Sequence, residues 1–241
     1  MTETLIALLC AHLVADFPLQ PGLVIRNKRN PLVLAGHALI VLAVTVLLLG
    51  AAPTLLLFIL LATHIAMDAV KTWLLPDRLW AFGLDQLVHI AVILGLAIAW
   101  PDMVPTGSWS TLPADGYAFY IASLIVVSGI ILTVQVGAIV IRLAVRDIDA
   151  GVSDAGLPNG GFLIGCLERG LIMILFFIGQ PAGVGFLIAA KSILRFGEIQ
   201  KNERKMSEYI IIGTFMSFSW GLLMSAATWH GASHWLRLSR L

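Results

Sequence analysis

Charge is scarce in this chain. Its 15 Lys and Arg and 14 Asp and Glu make up 12% of 241 residues, against about 25% in an ordinary soluble domain. So few charges cannot cover a water-facing surface, and 59% of the residues are hydrophobic. Cysteine is nearly absent: Cys10 and Cys166 each fall inside an apolar run, without the paired spacing of a zinc ribbon or redox motif, and both read as small buried hydrophobes. The net charge of +1 gives no reason to expect a nucleic-acid partner. A nucleotide-binding glycine motif, a serine nucleophile elbow and a haem-attachment motif are all missing. No basic segment precedes the first apolar run, so a cleaved secretory signal is not expected.

What the chain has is a succession of apolar runs, at about 4–17, 32–50, 54–75, 84–100, 117–141, 161–179, 182–196 and 208–229. A spanning helix needs about 20 mostly apolar residues. Backbone groups in lipid must be satisfied within their own element, and these runs are far longer than barrel strands. The expected fold is therefore all-α, a polytopic transmembrane bundle of about eight spans. The first, fourth and seventh runs are short, so seven complete spans is the lower count. The Pro-, Gly- and Ser-rich linker 101–116 divides the chain into a four-helix half at 1–100 and another at 117–241. In the second linker, 142–160, Asp147, Asp149 and Asp154 lack EF-hand spacing and read as a solvated turn. Trp73, Trp80, Trp100, Trp109, Trp229 and Trp235 fall near expected span ends, as in an aromatic belt.

Lys and Arg alternate between loops. Arg26, Lys28 and Arg29 follow the first run, Lys71 and Arg78 the third, Arg142 and Arg146 the fifth, and Arg195, Lys201, Arg204 and Lys205 the seventh. Basic short loops are retained in the cytoplasm, so the N-terminus and the 101–116 linker are expected outside it. Arg237 and Arg240 run against an eight-span count.

With that orientation the ionisable residues of the first half form a pattern. His12 and Asp16 are four apart near the cytoplasmic end of the first span, and His64 and Asp68 repeat the spacing in the third. Asp85 and His89 reverse it at the cytoplasmic start of the fourth, and His37 lies about two turns into the second. Residues four apart share a helix face and lie about one 5.4 Å turn apart. Four imidazoles are thus expected at one depth, with Asp16, Asp68 and Asp85 on their cytoplasmic side. Imidazole and carboxylate together are a ligand set for zinc, with manganese or iron as alternatives, and ionisable groups within a membrane are functional candidates. A proton or ion pathway, or a structural polar network, would use the same residues.

The stretches HLVADFPLQ, LAGHALIV, HIAMDAVK and DQLVH, with Lys28, resemble the bacterial domain-of-unknown-function 3307 family over about residues 8–95. That family implies no particular reaction. A looser similarity, in paired His and Asp on short membrane helices, is to bacterial membrane metal-dependent hydrolases.

The second half carries Glu168 and Arg169 inside the sixth run and Lys191 and Arg195 on one face of the seventh. Charges in membranes usually pair, which leaves two readings: Glu168 neutralised by Lys191 or Arg195, or a basic pocket for an anionic lipid head group. The function expected from the whole pattern is metal-dependent hydrolysis in a bacterial cytoplasmic membrane. His12, Asp16, His37, His64, Asp68, Asp85 and His89 are the candidate ligands, with Asp16, Asp68 or Asp85 as base or positioning group. Lys71, Glu168, Arg169, Lys191 and Arg195 are the candidate contacts to a phosphorylated, membrane-proximal lipid. The rival expectations are a metal- or proton-coupled transporter and a non-catalytic module that binds a partner in the membrane.

Overall fold

A computed structural model describes residues 1–146, 160–199 and 204–238, with side chains at 1–146, 160–193 and 208–237. Asp147, Asp149, Asp154, Lys201 and Arg240 fall outside the described residues, as do the side chains of Arg195, Arg204 and Lys205. All regular structure among the described residues is helical. In chain order the helices are α1 (Thr2–Asp16), α2 (Gly22–Asn27), α3 (Pro31–Leu49), α4 (Thr54–Leu74), α5 (Leu79–Ala99), α6 (Met103–Thr106), α7 (Ala114–Ile131), α8 (Gly137–Val145), α9 (Gly160–Phe177), α10 (Gly183–Ile199) and α11 (Arg204–Leu238). A π-helical turn, Leu132–Val136, joins α7 to α8 without a break.

Among the described residues, six stretches are long and apolar enough to cross a membrane: Pro31–Leu49, Thr54–Leu74, Leu79–Ala99, Ala114–Val145, Gly160–Phe177 and Glu208–Arg237. The protein is a multi-pass membrane protein. The 15-residue α1 and the 17-residue α10 are the short apolar helices. The fourth run, by contrast, is not short: its helix begins at Leu79 and runs 21 residues. Large apolar side chains on the outside agree with a lipid environment, among them Leu32 and Leu39 on α3, Phe58 on α4 and Leu87 and Ile98 on α5.

The chain divides into two compact units, residues 1–131 with 231–241, and residues 132–230. The division falls at the π-helical turn, not at the 101–116 linker. That linker is built into the first unit. Thr4 Oγ1 donates to Pro101 O at 2.7 Å, Ser108 N donates to Gly50 O at 2.9 Å, and Trp109 Nε1 donates to Leu47 O at 2.8 Å. Val104 is fully buried, and Trp109 stacks on Tyr120 with ring centroids 4.8 Å apart.

Inside the first unit α1 is the central element, packed against α3, α5 and α7. Its 15 residues rise about 22 Å, less than the roughly 30 Å of a bilayer core. A helix surrounded by others on most sides need not match the lipid thickness. Ala7, Ala11 and Ala15 recur every fourth residue on it and are buried, and such small side chains let neighbouring helices approach closely. That closeness matters because lipid offers no hydrophobic drive for helices to associate. The chain then turns by simple chemistry. Pro18 follows the last turn of α1, Asn30 accepts from Leu32 N to cap α3 with Pro31 at its first position, and Gly50 ends α3 at φ +63.

Candidate metal centre

Each of the four helices around the centre carries an inward stripe of fourth-residue spacing. On α4 it is Leu56, Leu60, His64 and Asp68; on α5 it is Ala81, Asp85, His89, Ile93 and Ala97. On α1 Leu8 and His12 precede Asp16, and on α3 His37 precedes Val41, Thr45 and Leu49. Leu, Ile and Ala fill one end of every stripe and His and Asp the other. Antiparallel packing of successive helices therefore brings the polar ends together.

The structure unites all seven residues. Ring centroids of His64 and His89 lie 4.5 Å apart, His12 and His89 4.9 Å, His37 and His64 5.4 Å, and His12 and His64 6.2 Å. All four imidazoles are buried, as are Asp68 and Asp85. Asp16 Oδ1 stands 3.3 Å from His37 Nε2 and 3.5 Å from His64 Nε2. Asp68 Oδ2 stands 3.6 Å from His37 Nε2 and 3.5 Å from His64 Nε2, and the two imidazole nitrogens are 3.3 Å apart. Asp85 Oδ1 faces His89 Nε2 at 3.5 Å, and Asp16 Oδ2 faces His12 Nδ1 at 3.5 Å.

These separations are long for charge-assisted hydrogen bonds, which run about 2.7–2.9 Å. They are close to the edges of a coordination polyhedron, since a tetrahedron of ligands 2.0–2.1 Å from its centre has edges of about 3.3–3.4 Å. The inner atoms also lack hydrogen-bond partners: Asp16 Oδ1, Asp68 Oδ2, Asp85 Oδ1 and His89 Nε2 are buried and unpartnered. A buried carboxylate oxygen left without a donor is costly, and a bound cation is one way to satisfy several at once. The residues present fit a divalent metal: borderline imidazole and hard carboxylate donors, converging and buried.

The outer carboxylate oxygens are occupied. Lys28 Nζ donates to Asp68 Oδ1 at 2.7 Å, and Lys71 Nζ donates to Asp85 Oδ2. Gln86 Nε2 also donates to Asp85 Oδ2, at 3.0 Å, while its Oε1 is 3.3 Å from His12 Nε2. Each of these two aspartates thus turns one oxygen to a lysine and the other inward. Lys28, Gln20 and Gln86 are site residues that helix spacing did not reveal. Lys28 is buried and reaches Asp68 because α2 and the turn to α3 fold it back. Gln20 Nε2 lies 2.8 Å from His37 Nε2, the nitrogen that also faces Asp16 and His64, and so competes for it. Lys71, the candidate substrate contact of this half, has a side chain 39% exposed beside its buried partner.

Residues 4–113 match the family described as a protein of unknown function, DUF3307. The seven ligand candidates lie in a DUF3307 domain. No curated protein and no solved structure matches the chain. The domain's match covers the linker and ends just before α7, so it contains Lys28, Gln20 and Gln86 as well.

The Glu168, Arg169 and Lys191 group lies in the second unit, outside the DUF3307 match. Lys191 Nζ donates to Glu168 Oε2 at 2.7 Å. Arg169 is buried and spends its guanidinium locally: Nε donates to Thr133 O at 2.9 Å, Nη2 to Val134 O at 3.0 Å and Nη1 to Ser217 Oγ at 3.0 Å. Trp220 Nε1 donates to Leu132 O at 2.8 Å. Arg169 and Trp220 thus donate to three successive carbonyls of the π-helical turn. A cleft of about 400 Å³ opens beside them, lined among others by Arg142, Glu168, Lys191, Tyr209 and Thr214.

Proposed function

We propose that this protein is a metal-dependent hydrolase of a bacterial cytoplasmic membrane, with its centre toward the cytoplasm and zinc as the resident ion, manganese or iron being the alternatives. The supporting observation is the set of buried, unpartnered Asp16, Asp68 and Asp85 oxygens held 3.3–3.6 Å from imidazole nitrogens. A bound divalent ion supplies a more acidic water and polarises a scissile carbonyl or phosphoryl group. The chain supplies the rest. His12, His37, His64 and His89 are the nitrogen donors. Asp16, the one carboxylate of the three without a lysine partner in the centre, is assigned the role of base, accepting the proton of the attacking water. Lys28 and Lys71 hold the outer oxygens of Asp68 and Asp85 and so aim the inner ones. Lys71, partly exposed, also suits an anionic group on a membrane-proximal substrate, for which a phosphorylated lipid is the leading candidate.

A transporter reading is less well supported. Beyond the imidazoles, away from Asp16, Asp68 and Asp85, the first unit is closed by Leu49, Leu56, Leu96, Ala97 and Val104. The cavity bordering His12, His64 and His89 has about 10 Å³, room for one water and no more. The cleft of residues 132–230, lined by Arg142 and Lys191 among others, is proposed as a separate binding place for an anionic head group.

The test is hydrolysis of phosphorylated lipids by detergent-purified protein, wild type against Asp16→Asn and His64→Ala. Both variants should lose activity, His64→Ala with its zinc and Asp16→Asn with much of its zinc retained. Stoichiometric zinc without hydrolysis of any phosphorylated or acyl lipid would leave a metal protein that is not this enzyme.

A further inference from the structure

The seven ligand candidates are more than one ion takes, and they sort into overlapping triples. The donor atoms of Asp16, His37 and His64 lie within 4.8 Å of one another, as do those of Asp68, Asp85 and His89, and those of His12, His64 and His89. The first two triples share no residue. Each contains its own buried, unpartnered oxygen: Asp16 Oδ1 in one, Asp68 Oδ2 and Asp85 Oδ1 in the other, with the unpartnered His89 Nε2 beside them. A structural or catalytic zinc takes about four ligands, so a single ion at Asp16, His37 and His64, with Asp68 Oδ2 as its fourth ligand, still leaves Asp85 Oδ1 and His89 Nε2 buried without a cation.

We infer that the centre holds two divalent ions, one at Asp16, His37 and His64 and the other at Asp68, Asp85 and His89. The inference rests on the metal-centre reading above. Asp68 links the two positions, because it belongs to the second triple while its Oδ2 stands 3.6 and 3.5 Å from His37 and His64 Nε2 of the first. His64 and His89 are joined through His12 in the third triple. Paired sites of this kind hold ions about 3.5–4 Å apart and clamp both the attacking and the leaving oxygen of a displacement.

Charge points to the substrate class. The carboxylates of Asp16, Asp68 and Asp85 bring three negative charges, and Lys28 and Lys71 return two positive ones. Two divalent ions then leave the centre with a surplus of three positive charges when the imidazoles are neutral, as ligation requires. A phosphate monoester dianion offsets two of those three charges, whereas a neutral ester offsets none. The two-ion centre thus favours a terminal phosphate over an acyl ester. In the hydrolysis, water's oxygen bonds to phosphorus, the bond from phosphorus to the lipid oxygen breaks, and Asp16 takes the water's proton and returns it to the leaving alkoxide, giving inorganic phosphate and an alcohol.

The experiment loads the full chain, purified in detergent, with Mn2+ and counts bound ions by elemental analysis while recording low-temperature electron paramagnetic resonance. The expected result is two ions per chain and the broad signal of a spin-coupled pair. His89→Gln, which leaves the Lys71 contact to Asp85 in place, should hold one ion and show an uncoupled six-line spectrum, and His37→Gln should do the same. One ion per wild-type chain, or two with no magnetic coupling, would overturn the paired site while leaving a metal centre. No ion in the wild type would overturn the metal reading beneath it. The wild-type count and coupling decide the matter even if a variant fails to fold.

Discussion

Lys28 shows how a single residue settles the charge of the centre. Its ammonium is buried and donates to Asp68 at 2.7 Å. Removing one partner of a buried pair typically costs about 3–5 kcal/mol, because the other charge is left uncompensated. Lys28→Met should therefore lower stability, and lower it more in protein stripped of metal than in zinc-loaded protein, where an ion still neutralises Asp68. Thermal unfolding in detergent with and without zinc checks this; equal losses in both states would mean that Asp68 does not sense the ion. Gln20 gives the converse case. It sits on His37 Nε2 at 2.8 Å, so Gln20→Ala should keep metal or bind it more tightly, by titration against a chelator, and a large drop in affinity would make Gln20 a supporting residue rather than a competitor. The His12/Asp16, His64/Asp68 and Asp85/His89 pairs are legible in the sequence because a helix converts a spacing of four into a shared face. Lys28 and Gln20 belong to the stretches that resemble the family, but their contacts with Asp68 and His37 are not legible, since these depend on how α2 and its turns fold back.

At the scale of elements, the apolar runs locate the helices because a span must be both long and apolar, and Pro53, Pro76 and Gly50 mark their ends. The start of α5 is less legible. Trp80 and Gly83 soften the run, yet the helix begins at Leu79. The π-helical turn leaves no trace at all in Leu132–Val136, which reads as uninterrupted helix; the donors to its carbonyls, Arg169 and Trp220, are distant in sequence. Arg169→Leu would remove a charged donor from the Thr133 and Val134 carbonyls, at about 1.5–3 kcal/mol each. The expected outcome is a less stable second unit, seen as faster proteolysis between 132 and 230, with metal content unchanged. Loss of metal in a folded Arg169→Leu protein would contradict the assignment of the centre to the DUF3307 domain alone. Gly50 is a second such point. Its φ of +63 is left-handed, and a Cβ there would lie 2.6 Å from Trp109 Cδ1. Gly50→Ala should cost at least the roughly 1–2 kcal/mol of left-handed backbone, measurable as a lower unfolding temperature.

For the whole molecule, the scarcity of charge and the length of the apolar runs disclose a multi-pass helical protein, and the motifs HLVADFPLQ, LAGHALIV, HIAMDAVK and DQLVH disclose the DUF3307 match over residues 4–113. The division at residues 131 and 132 is not legible, because nothing in the 101–116 composition tells that Val104 and Trp109 pack back onto the first unit. Sidedness is testable at this scale. Reporters at Lys28 and Lys201 should read cytoplasmic and one near Ser110 should not, from the alternation of basic loops; the reverse pattern would place the centre at the other face of the membrane. The central claim is that His and Asp side chains of the DUF3307 domain hold a divalent ion, and X-ray absorption at the zinc edge of stoichiometrically loaded, detergent-purified protein tests it most directly. The expected first shell is nitrogen and oxygen at about 2.0–2.1 Å, with the outer-shell scattering of at least two imidazoles and no sulfur. A shell containing sulfur near 2.3 Å, or zinc ringed by water alone without imidazole scattering, would contradict it.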